Sequence, residues 1–240
     1  MSAKLLDVID WLDQSRTLGW EDDFLWYISP HFWTSTLTDS GSVTALTTHG
    51  GGVAIAMSDG TVADNDEGYI GGTNKNILPT NLKPIRFEAQ VQFTEANTDD
   101  ANIIVGLSST SAANALLDDG GGPPASYSGI VFFKVDGGTN WNIEVSVGGT
   151  QTTVELTAVN SLNKKANTAG GSAKQTLAFE FLPINSTTAQ VLWYIDGVLV
   201  YDMLWTYTSV VAMAPIIGGK NGGANLETLN VYYAKLKTLR

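Results

Sequence analysis

Glycine runs punctuate this chain from end to end: Gly50-Gly51-Gly52, Gly120-Gly121-Gly122, Gly137-Gly138, Gly148-Gly149, Gly170-Gly171 and Gly222-Gly223 separate short segments rich in β-branched and aromatic residues. That is the punctuation of an all-β domain, in which turns that need a free backbone alternate with short strands. The intervening segments predict strands over 52–57, 85–93, 102–108, 128–135, 141–147, 152–157, 175–182, 188–195, 198–203 and 228–237. About ten strands suffice for two packed antiparallel sheets.

Alternation sharpens the reading within single strands. Over 86–93, Phe87, Ala89, Val91 and Phe93 share one side and Arg86, Glu88, Gln90 and Gln92 the other, the pattern of one buried and one wet face. Segment 177–181 behaves similarly, whereas 191–195 is apolar on both sides, as in a strand covered twice. Asp196-Gly197 follows it. A two-residue type I′ turn needs φ > 0 at both central positions, which Asp and Gly tolerate, so a hairpin there is the best-specified local structure.

The first eighteen residues break the pattern. Leu5, Leu6, Ile9 and Leu12 recur at helical spacing, and Gly19 suits a helix C-terminus. A short N-terminal helical arm is expected over 1–19, ahead of a sandwich domain over 20–240. Such a helix is marginal alone in water and needs a surface for its apolar stripe. Asp7 and Asp10 fall where a secretory signal is apolar, and nothing later reaches the ~20 apolar residues of a membrane span, so a soluble chain without a signal peptide is expected.

Thirteen Lys and Arg against twenty-four Asp and Glu give a net charge of -11, which disfavours nucleic acid and anionic membranes as main partners. With no cysteine, disulfides, thiolate nucleophiles and Cys-ligated zinc are excluded. His31 and His49 have no second His, Cys or Asp at metal or triad spacing, and structural roles are expected for both. No Gly-x-Ser-x-Gly elbow, P-loop or Rossmann fingerprint occurs.

Sugar cleavage on a sheet needs two carboxylates sharing a face. Glu144 and Glu180 stand alone in their strands and Glu88 shares its side with Gln90 and Gln92, leaving only a pair drawn from different strands. The acid-rich stretches 59–67, 98–102 and 118–119 are the best candidates for Ca²⁺, but none has EF-hand spacing, so solvated loops are expected and no metal ligand is assigned. The sequon Asn185-Ser186-Thr187 is read as accidental. Trp193 and Phe179 belong to strong strand patterns, while Trp141, Trp205 and Tyr207 are less constrained and are the candidate platforms for glycan stacking.

Several motifs, in order, carry a resemblance. Glu21-Asp22-Asp23-Phe24, Phe32-Trp33-Thr34 and Gly51-Gly52-Val53-Ala54-Ile55 open it, and Arg86-Phe87-Glu88-Ala89-Gln90-Val91, Ile104-Val105-Gly106-Leu107-Ser108 and Gly129-Ile130-Val131-Phe132-Phe133 fill the middle. Trp193-Tyr194-Ile195-Asp196-Gly197-Val198 and Leu229-Asn230-Val231-Tyr232-Tyr233 close it. Over residues 20–240 the chain resembles the concanavalin A-like (laminin-G-like) jelly-roll virion proteins of tailed bacteriophages.

The resemblance implies an all-β jelly-roll sandwich and a capsid decoration or cement role, on the virion surface after synthesis in the host cytoplasm. It further implies the major capsid protein as partner, a homotrimer, and no reaction or cofactor. The sequence lacks the Glu-x-Asp-x-Glu strand of catalytic relatives, and Asn230 stands where the closing motif usually has Asp. In that role the arm residues Leu5, Leu6, Ile9, Trp11 and Leu12 are the expected docking element. The alternatives are a carbohydrate-binding module, with host surface glycans as partners, and then a glycoside hydrolase.

Overall fold

A computed structural model describes residues 17–27, 29–38, 41–48, 50–58, 61–79, 83–95, 99–157 and 173–239. The arm residues Leu5, Leu6, Ile9, Trp11 and Leu12 lie outside them, as does His49. The described residues form fifteen strands and no helix. In chain order these are β1 (Thr17–Asp22), β2 (Trp33–Leu37), β3 (Ser42–Ala45), β4 (Val53–Ala56) and β5 (Glu67–Gly72). Then come β6 (Ile85–Thr94), β7 (Ala101–Ser108), β8 (Gly129–Lys134), β9 (Asn142–Val147) and β10 (Thr150–Glu155). The last five are β11 (Gln175–Pro183), β12 (Thr188–Ile195), β13 (Val198–Thr206), β14 (Ala214–Asn221) and β15 (Thr228–Leu239).

They pair into two antiparallel sheets. One runs β13-β12-β11-β6-β15-β4-β3, with β1 also on β15; the other runs β10-β9-β8-β7-β14-β5-β2. The inward faces meet in a single core: Phe87, Val91, Phe179 and Trp193 from the first sheet oppose Val105, Phe132, Trp141 and Ile217 from the second. Phe132 meets Trp193 edge-on at 4.9 Å, a favourable arrangement of ring quadrupoles. The Asp196-Gly197 turn forms as expected, with φ of 51° and 76°.

Five strands escape the sequence reading: β1, β2, β3, β5 and β14. In β14, Gly218 and Gly219 look like a turn, yet they sit mid-strand because a Cβ on Gly218 would lie 2.3 Å from the Gly68 carbonyl oxygen of β5. Gly19 needs a similar correction. It lies in β1 opposite Lys237, where a Cβ would meet the Leu236 carbonyl oxygen at 2.5 Å, so it permits close strand approach and ends no helix.

The outward side of β6 also departs from expectation. Arg86 and Glu88 are buried rather than wet, because Arg86 donates to Glu180 on β11 at 2.5 Å and to Glu88 at 2.7 Å. Lys235 and Tyr233 on β15 donate to the other Glu88 oxygen at 2.7 and 2.9 Å, and the Tyr194 hydroxyl donates to Glu180 at 3.1 Å. A bulge between Val231 and Tyr233 places Tyr233 for this contact.

Candidate functional site

The outer face of the seven-stranded sheet is an obvious place for a ligand, and the chain covers it. The β7–β8 connection, residues 109–128, crosses this face as a strap. Ala115, Leu116 and Tyr127 of the strap pack on Tyr69, Ile104, Val131, Phe133 and Ile216 of the sheet, forming a second, smaller core. Glycine makes room for it: a Cβ on Gly71 would lie 2.9 Å from that of Ser111.

Buried polar groups fasten the strap on both sides. On one side, both Glu67 carboxylate oxygens accept from the Asn114 backbone N–H at 3.0 Å, and Lys220 pairs with Glu67 at 3.4 Å and with Asp118 at 2.5 Å. On the other, Glu144 accepts from the Tyr127 hydroxyl at 2.7 Å, from the Gln151 amide at 2.8 Å and from the Thr153 hydroxyl. Burial, with the charge of Glu144 beside it, pushes the Tyr127 phenol well above its ordinary pKa. Glu67 on β5 and Glu144 on β9 stand four strand spacings apart, roughly 19 Å. Pairs that cleave glycosides stand about 5–9.5 Å apart. Glu88 and Glu180 do share a neighbourhood on the opposite sheet, but Arg86 bridges them.

The acid-rich stretches gather at the β5 N-terminal end, and lysines and amides meet them there. Lys134, fully buried, pairs with Glu95 at 2.8 Å and donates to the Asp99 and Ala101 carbonyl oxygens at 2.8 and 2.9 Å, so an ammonium sits where carbonyls converge. Asn65 bonds Asp119 and Asn225 bonds Asp100. Among the described residues, no three His, Asp or Glu side chains group as metal ligands. Burial first, then the charges of Asp100 and Asp64, raise the Asp136 carboxyl above its ordinary pKa.

All three aromatic candidates prove to be core. Trp141 is fully buried and donates its indole N–H to the Gln175 side chain at 3.0 Å. Trp205 packs edge-on against Phe181, while the buried Tyr207 donates its hydroxyl to the Asn185 carbonyl oxygen at 2.5 Å. None offers the open ring face that stacking requires. The Asn185 side chain caps the β11–β12 turn by accepting from the Thr187 and Thr188 N–H groups, so the sequon residues build a hairpin.

An open cavity lies instead at the other end of β5, about 17 Å along the strand from Glu67. Its volume is about 310 Å³, and Trp20, His31, Phe32, Thr73, Asn74 and Asn76 surround it over a floor of Gly72 and Pro215. The pieces come from β1, from the loop before β2 and from the loop after β5. An aromatic stack holds them: Trp20 lies 4.6 Å from Phe32 and edge-on to the buried Trp33 at 5.4 Å, and Trp33 donates its indole N–H to Asp22 at 2.8 Å. The Thr34 and Thr73 hydroxyls pair at 2.9 Å, and a backbone bridge between Ile77 and Met213 anchors the loop. Gly72 is required in the floor, since a Cβ there would lie 2.8 Å from the Pro215 ring.

His31 and Phe32 are exposed, as are Thr73, Asn74 and Asn76. The cavity therefore presents an aromatic edge beside amide and hydroxyl groups, with no Asp, Glu, Lys or Arg among its described lining residues. Sequence reading missed it because Asn74-Lys75-Asn76 looks like any polar loop and His31 has no spaced partner.

The sequence matches no family model and no curated protein. Solved structures do match. The carbohydrate recognition domain of Emp47p aligns with TM-score 0.59 and 12% identity over 93% of this chain and 97% of that one. Peanut lectin aligns at 0.56 and 12% over 94% and 99%, and the endo-1,3-β-glucanase of Streptomyces sioyaensis at 0.59 and 14% over 94% and 97%. The fold is a concanavalin A-like sandwich. Within that sandwich the strap-covered sheet face and the aromatic cavity are separate places, and only the cavity is open.

Proposed function

We propose that this concanavalin A-like sandwich is a non-catalytic carbohydrate-binding domain whose ligand enters the cavity beside Trp20 and Phe32. The observation that carries the reading is the cavity's composition. Aromatic rings accept the apolar C–H face of a sugar, and amides and hydroxyls offer both donors and acceptors to its hydroxyl groups. The likeness to lectin and carbohydrate-recognition folds supports it. Glucanase and glucuronan lyase structures share the fold too. The strap over the sheet face and the engagement of Glu67, Glu144, Glu88 and Glu180 favour binding over cleavage.

Titration calorimetry with neutral oligosaccharides chosen from a glycan array tests this. Phe32→Ala is expected to weaken binding about tenfold, roughly 1.4 kcal/mol, with a modest fall in melting temperature from the lost ring contacts to Trp20 and Trp33. Unchanged affinity in that variant, or no glycan bound by the parent protein, overturns the proposal.

A second reading, a capsid decoration protein, rests on the sequence resemblance and is favoured by one feature. Leu25 and Trp26, in the turn after β1, are 54% and 88% exposed, an apolar knob of the kind that anchors protein interfaces. Quantitative mass spectrometry of purified virions tests it: capsid-like copy number supports the role, and absence from particles ends it.

A further inference from the structure

We infer that the cavity reads the end of a neutral glycan, one or two sugar residues, and not an internal stretch of a polysaccharide. This rests on the carbohydrate-binding reading and narrows its ligand class. Size is the first reason. At about 310 Å³ the cavity stands at the small end of ligand sites and encloses no more than one or two sugar residues.

The second reason is the strap. A polysaccharide bound along its length needs a continuous track, and the broad track available to a sandwich is the outer face of a sheet. Here the seven-stranded sheet's central outer face is dry and filled by Ala115, Leu116 and Tyr127, and buried polar bonds to Glu67 and Glu144 fasten the strap on both flanks. Gly71, under Ser111 of the strap, and Gly72, in the cavity floor, are consecutive residues of β5 and face opposite sides of the sheet, so the cavity does not continue onto a sheet-face track.

Charge supplies the third. Apart from His31, the described lining has no basic side chain to pair with a uronate or sialate, and the protein's net charge of -11 repels anionic sugars on approach. A neutral end that offers one C–H face and several hydroxyls matches the aromatic and amide groups present.

The test is a glycan array on which each neutral core is displayed with its terminal residue free, extended by a further neutral sugar, or capped by sialic acid. The parent protein is run beside Phe32→Ala and Asn76→Ala; Asn76 is exposed, and thermal unfolding checks that Phe32→Ala, which gives up ring contacts with Trp20 and Trp33, is still folded. Supporting results are binding to free-ended cores, at least tenfold weaker binding once the end is extended or sialylated, and loss in both variants. Equal binding to free and extended forms, lost in the variants, overturns the end-reading and leaves the carbohydrate-binding proposal standing. No bound glycan, or binding indifferent to both substitutions, overturns the two together.

Discussion

Trp141 separates a core residue from a ligand platform. Its ring meets Phe93 and Phe132 edge-on inside the sandwich, and its N–H satisfies a buried Gln175 oxygen. Trp141→Phe strands that oxygen and is expected to cost about 1–3 kcal/mol in urea unfolding, with glycan affinity unchanged. Nothing in the local sequence marked it as interior, because it follows Gly137-Gly138 and reads as a strand entrance. Glu88 teaches a complementary lesson. Burial alone would raise its pKa, but the hydrogen bonds from Lys235 and Arg86, the Lys235 charge and the Tyr233 hydroxyl together outweigh it, so the carboxyl lies below its ordinary value. In turn Tyr233, buried against that carboxylate, is pushed up to about 12. A folded-state pKa below the unfolded one means that Glu88 stabilises the fold at neutral pH and loses that contribution as pH falls through the lowered value. Glu88→Gln is therefore expected to be about 1–3 kcal/mol less stable at pH 7, with the gap to the parent closing at acidic pH in paired denaturant titrations.

At the scale of elements, the strap is the feature that most shapes what this sandwich can bind. Lys220 is its central fastening, a buried cation between Glu67 and Asp118. Lys220→Met leaves the buried Glu67 carboxylate without a cation and is expected to cost about 3–5 kcal/mol. Adding Glu67→Gln should return part of that loss, because the two residues are coupled. Hydrogen exchange locates the damage: the Asn114 amide, bonded to Glu67, should exchange faster in Lys220→Met, while amides of β8 and β9 change less. Uniform acceleration would instead mean that the strap is not a separable layer. Strands with alternating patterns and the Asp196-Gly197 hairpin were legible because each obeys a local rule. β5 and β14 were not, since their glycines exist for contacts across the sheet and look like turns along the chain. The strap was hidden for the same reason: Leu116 and Ala115 signal nothing until the sheet beneath them exists.

The whole molecule has a polarity. Acid-rich loops and their lysines crowd the β5 N-terminal end, while the described lining of the cavity at the other end has no Asp, Glu, Lys or Arg. Sequence could give the net charge of -11 but not this separation, because the cavity joins Trp20, Phe32 and Asn76, whose neighbours along the chain have nothing in common. The distance between the two ends, about 17 Å along β5, exceeds the screening length of about 10 Å at 0.1 M salt, so the acids exert little pull or push on a neutral ligand in the cavity. Raising salt to 1 M shortens that length to about 3 Å and leaves a neutral sugar's contacts in place. Affinity for a neutral glycan is therefore expected to stay within about twofold from 0.1 to 1 M sodium chloride, measured by calorimetry in matched buffers. A tenfold fall would mean that charge holds the ligand, which among the described residues of the cavity only His31 could supply, and would point to His31 or to a site at the acidic end.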